Sequence, residues 1–223
     1  MNSRAILPGL LGLLILAGCS DPAKDLASSD AQARVQAIRA LAARGGDAAA
    51  EDVASVARHE DTAAATEAIA ALGRIQSDRA VEVLTEVATK EDRVALRQLA
   101  VTALAQHEAA KSVETFRQVV RSDSAPEVRA TAAMSLAKQG GMDDVPLLVE
   151  VAGAETDLVA TRSEVTAIGT LLGVRFPYDP NDTPEVRQES LARTRAEADR
   201  IYKVRKDLLP QDIKCQGDRG GGR

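Results

Sequence analysis

One period runs through this chain and governs what it can fold into. The segments AIRALA (37–42), AIAALG (68–73), AVTALA (100–105) and AAMSLA (132–137) superimpose, and their leucines Leu41, Leu72, Leu104 and Leu136 are spaced by 31, 32 and 32 residues. A further step of 32 falls on Ile168, inside EVTAIG (164–169). Three positions earlier the register holds Ile38, Ile69, Val101, Ala133 and Val165. A fixed period of this length is the signature of stacked supersecondary units. Each unit then repeats an apolar pair at i, i+3, namely Val53/Val56, Leu84/Val87, Phe116/Val119 and Leu148/Val151, which places both members on one helical face. Between the two stretches lie Gly45-Gly46, Ile75–Asp78, His107–Ala109 and Gly140-Gly141, short breaks of the kind that join antiparallel helices. The unit is a helix pair, and a lone pair cannot hide its apolar stripe, so neighbours must stack. The expected fold is all-α, a right-handed α-solenoid of about five antiparallel helix-pair repeats over residues 30–172. A compact bundle of unrelated helices would not need a constant period.

Composition points the same way. Apolar residues reach 45% with only 2% aromatic and no Trp, so the core must be Ala, Leu and Val, which suit close-packed helices better than a β-sandwich or barrel. Asp30, Asp61, Asp92 and Asp123 recur every 31 residues near the start of each unit, where an acid can cap a helix N-terminus. The pattern Asp…Val-Arg…Ala-x-x-Ala-Leu resembles HEAT repeats, specifically the short HEAT-like type named after phycobilin lyases. Arg34, Arg97 and Arg129 each stand seven residues before the key Leu, as the family's arginine does. Unit two has Ala65 in that place and unit five has Thr161 beside Arg162, so the arginine ladder is incomplete. The resemblance implies an architecture and says little about a task.

Beyond the repeats, residues 173–209 read as a turn and a capping helix. Phe176-Pro177-Tyr178-Asp179-Pro180 cannot be regular helix, and Thr183-Pro184-Glu185 reads as an N-cap followed by Pro at the first helical position. The segment resembles the Phe-x-Tyr-Asp-Pro turn and charged helix with which bacterial HEAT-like envelope proteins often end. An open solenoid end needs such a cap, while Phe176 and Tyr178 offer the alternative of an aromatic-lined pocket. Residues 210–223, ending in GDRGGGR, read as a disordered tail, with Cys215 either an idle thiol or a cross-linking one.

At the other end, residues 1–18 read as a lipoprotein signal peptide. Arg4 precedes an uncharged apolar run of 14 residues, AILPGLLGLLILAG, short of the roughly 20 a membrane span needs. The run ends in Leu16-Ala17-Gly18-Cys19, which resembles the lipobox of bacterial lipoproteins. The resemblance implies cleavage before Cys19 and acylation of its thiol, an anchor that holds without a transmembrane helix. Residues 19–29 read as a polar tether. Ser20 after the cysteine, with Asp21 one place further, favours the outer over the inner membrane by the general sorting rule.

Candidate chemistry is sparse. Net charge is −5 with no basic run, which removes the usual footprint of nucleic-acid binding. His59 and His107 stand 48 residues apart among polar neighbours, read as surface groups, and with two cysteines they build no convincing metal site. No nucleophile elbow, P-loop or zincin motif occurs, and no cofactor is implied. The expectation is an envelope-anchored interaction scaffold facing the periplasm and holding an unidentified protein partner. Its concave row of second helices would present Glu82, Thr85, Glu86, Arg117, Arg121 and Glu150. A purely structural lipoprotein and a bilin-lyase-like enzyme are the alternatives.

Overall fold

The computed structural model describes residues 21–58 and 61–208; Cys19, His59 and Cys215 lie outside them. Among the described residues there are eleven α-helices and no strand: α1 (Pro22–Asp25), α2 (Ala31–Arg44), α3 (Gly46–Ala57), α4 (Thr62–Arg74), α5 (Asp78–Lys90), α6 (Val94–Leu104), α7 (Ala109–Ser122), α8 (Pro126–Gln139), α9 (Val145–Ala154), α10 (Leu158–Leu172) and α11 (Pro184–Leu208). The first helices α2, α4, α6, α8 and α10 stack in one row, and α3, α5, α7, α9 and α11 in a second. The result is an all-α solenoid.

The period names the core. Leu41, Leu72, Leu104 and Leu136 are fully buried, as are Ile38, Ile69 and Val101, and Ile168 closes the series at 1% exposed. The second stretch contributes Val53, Leu84, Phe116 and Leu148 to the same continuous core, so each helix pair is sealed by its neighbours. The last pair departs from the others. α10 has no partner of its own length nearby in sequence; the chain runs through residues 173–183 and returns as the 25-residue α11, which packs on both α9 and α10. The helix expected as a cap therefore occupies the second-row position of the fifth unit, with its own Thr194 and Ala198 buried.

Residues 21–29 are more than a tether. Asp21 caps α1 by accepting from the Ala23 N–H, Pro22 takes the first helical position, and Leu26 packs against the core. The aspartate series also divides in two. Asp30 and Asp61 cap α2 and α4 through Gln32 and through Ala63 and Ala64. Among the described residues the Asp92 side chain caps no helix; Glu91 accepts the Arg93 N–H instead. Asp123 accepts from the Ala125 N–H and carries a second bond described below.

Candidate functional site

The polar groups of this array fall into two systems. The first locks repeat to repeat along the row of first helices. The Arg97 guanidinium makes two parallel bonds to Asp123, at 2.8 and 2.9 Å, and donates to the carbonyls of Glu91 and Asp92 in its own loop. Arg129 repeats this with Glu155 at 2.7 and 2.8 Å and with the Asp123 carbonyl. Arg34 bonds Asp61 at 2.6 Å and the carbonyls of Ser28 and Ser29. Each arginine thus ties the loop that opens its own unit to the acid that opens the next. The bond to Asp123 is the first cause holding Arg97 above its ordinary range, and burial opposes it. At two of the three clamps the arginine ladder takes its ligand from the aspartate ladder, and at the third Glu155 stands in; the near-equal offsets of 27, 26 and 26 are the signal in the sequence.

The second system runs along the second helices, where the expected partner-binding residues lie. Glu82 is exposed and accepts from Arg79, which also reaches Glu51 of the preceding unit. Glu86 pairs with Arg58 of the unit before, and Thr85 shares a hydrogen bond with Thr115 of the unit after at 3.1 Å. Arg117 bonds Asp144 at 2.6 Å, and Asp144 in turn accepts the Gly141 N–H while 1% exposed. Three of the six, Thr85, Glu86 and Arg117, therefore already bridge repeats, and Glu82 is paired within its own helix. Arg121 and Glu150 are exposed.

His107 is not a surface group. It is 5% exposed, and its Nε2 lies 3.2 Å from the Leu72 carbonyl. A carbonyl only accepts, so that nitrogen carries the proton. Burial pushes its pKa below the ordinary imidazole value. Glu164 is a further buried titratable group, one that no motif marks. It is fully buried, and neither carboxyl oxygen has a hydrogen-bond partner among the described residues. Burial, reinforced by Glu155, pushes its pKa up to about 8. The repeat alignment marks it, because the same register holds Ala37, Ala68, Ala100 and Ala132 in the other units.

Phe176 and Tyr178 do come together with α10. Gly173 ends α10 in the left-handed conformation at φ +61°, and the Val174 N–H returns 2.9 Å to the Gly169 carbonyl, the Schellman arrangement. The chain then runs back along α10 so closely that a Cβ at Gly169 would lie 2.6 Å from the Val174 carbonyl oxygen. This leaves a groove of about 930 Å³ lined by Arg162, Thr166 and Thr170 of α10 and by Arg175, Phe176 and Tyr178 of the returning segment. Sequence reading foresaw its aromatic side; the two arginines, 13 positions apart across a turn, carried no signal.

Two interlocked rows of paired helices, closed by a helix of different origin and edged by this groove, define a helical repeat scaffold. The chain belongs to the HEAT repeats family, whose profile matches residues 21–95 and 89–169. No curated protein matches it. Among solved structures, a crystal structure of an engineered protein is similar at 21% identity with a TM-score of 0.46, covering 88% of this chain and 91% of that one.

Proposed function

We propose that this chain is a lipid-anchored interaction scaffold or assembly factor of the bacterial cell envelope, of the short HEAT-like type, with no catalytic task of its own. The observation that supports the scaffold reading is the uninterrupted HEAT array from residue 21 to 169, whose polar groups are largely used to lock repeat to repeat. Such an array is a stiff extended surface, and HEAT repeats commonly serve protein–protein interaction. Anchoring is supported by Leu16-Ala17-Gly18-Cys19 after an apolar run too short to span a bilayer. No helix among the described residues is long and apolar enough to cross a membrane. Acylated Cys19 would tether the array on the periplasmic side, with Ser20 favouring the outer membrane.

Two measurements test this. Crosslinking in intact cells followed by mass spectrometry should recover one defined protein partner in excess of its abundance; recovery of neighbours in proportion to abundance refutes the scaffold. Cys19→Ala should move the protein from the membrane to the soluble fraction, and unchanged fractionation refutes the anchor.

A further inference from the structure

The groove at the end of the first-helix row carries two arginines that no acid among the described residues pairs with, beside Phe176, whose ring also packs on the core. Six arginines of the repeats are consumed internally: Arg34, Arg97 and Arg129 clamp repeats, and Arg58, Arg79 and Arg117 pair across the second row. Arg162 and Arg175 line the groove, and neither has an acid partner among the described residues. In a chain of net charge −5, two unneutralised guanidinium groups converging on one concavity form a local cation site. Phe176 and Tyr178 flank them, half-buried, and supply two of only four aromatic rings in the protein. Arginine and aromatics in a concave site are the residue types that dominate interface energetics.

The groove also has acceptors and a length. Thr166 donates its hydroxyl proton to the Arg162 carbonyl and Thr170 to the Thr166 carbonyl, which leaves their oxygen lone pairs turned to accept. From Arg162 to Gly173 the helix advances roughly 16 Å at about 1.5 Å per residue. About five residues of extended chain cover that distance. A free phosphate would use only the donors and would leave the threonine acceptors and the length unused.

We infer that this groove binds a short extended segment of a partner protein bearing two carboxylates and an apolar residue, with Arg162 and Arg175 taking the acids and Phe176 and Tyr178 packing on the apolar side chain. The inference rests on the scaffold reading and names the partner's chemistry.

The test is a random peptide display screen against the full chain carrying Cys19→Ala, so that no lipid contributes, run beside the same chain with Arg162→Ala and Arg175→Ala added. Both arginines are exposed and form no ion pair among the described residues, so the variant should keep its fold, checked by its helical circular dichroism and melting temperature. Enrichment of sequences with paired acids around an apolar residue is expected, with affinity falling at least about tenfold in the double variant. Equal enrichment on both proteins, or none for acids, overturns it. Binding to anionic phosphatidylglycerol vesicles that depends on the same two arginines would overturn it in favour of a lipid surface. A defined crosslinked partner together with an acid-blind screen sinks this inference while leaving the scaffold standing.

Discussion

Arg97 holds Asp123 by two parallel hydrogen bonds across the joint between the third and fourth repeats, and the two side chains are only 9% and 5% exposed. A pair this buried is worth little against an apolar replacement, yet removing one partner strands a charge. Arg97→Ala should lower the unfolding free energy by about 3–5 kcal/mol in urea titration, and Arg97→Met with Asp123→Leu should recover most of it. Lys111→Ala, which breaks the exposed pair with Asp78, should leave the urea midpoint nearly unchanged. Equal losses at the two sites would contradict the clamp.

Glu164 makes stability depend on pH in an unusual direction. Its folded pKa of about 8 stands above the ordinary carboxyl value of 4.5, so the folded state holds a proton that the unfolded state releases. Its contribution is complete below pH 4.5 and is lost as pH rises toward 8, by an amount on the order of 3 kcal/mol between pH 5 and 8. Glu164→Gln should flatten the melting temperature over this window, and an unchanged slope would show that the carboxyl has found a partner.

His107 acts on the acid side. Its folded pKa is lowered from the ordinary 6.5, so protonation favours the unfolded chain and stability falls as pH drops through and below that value. His107→Gln, which can keep a donor toward the Leu72 carbonyl, should remove the acid-side loss below about pH 6.5 while leaving the slope above it to Glu164.

The recurring leucines should be costly and nearly equivalent. Leu72→Ala and Leu104→Ala leave cavities in the middle of the array and should each cost about 2–5 kcal/mol by chemical denaturation. Arg121→Ala, at an exposed position, should stay within about 0.5 kcal/mol.

Gly173→Ala would force a Cβ into the left-handed region at φ +61°, a cost of roughly 1–2 kcal/mol. Hydrogen exchange should then show faster exchange at the Val174 amide, because its bond to the Gly169 carbonyl depends on that turn. Unchanged protection there would mean the segment is held by its aromatics alone.

The period made the helix pairs and their core legible because burial repeats with the same 31–32 spacing as the sequence. Ligand relations within the repeat were less so. Asp123 looked like a cap, and it does accept from the Ala125 amide, but its main partner is a guanidinium in the preceding unit, a fact set by stacking geometry. His107 read as polar because its neighbours are polar, whereas the carbonyl it faces comes from the previous repeat. The Pro-Glu-Val-Arg that opens α8 at 126–129 recurs at 184–187 in α11, and Arg187 likewise donates to the loop carbonyls of Pro180 and Asp182. That echo signalled a helix built like a repeat's first member; only packing shows it serving in the second row. Arg162 and Arg175 were illegible because a turn brings them to one concavity.

One end of the stack is closed by the four residues of α1, the other by the 25 of α11 and the run back along α10. The molecule therefore has a head and a tail that no rotation exchanges. Copies laid side by side in opposite senses would present unlike chemistry, so anything that grips one terminus also sets which way the array points.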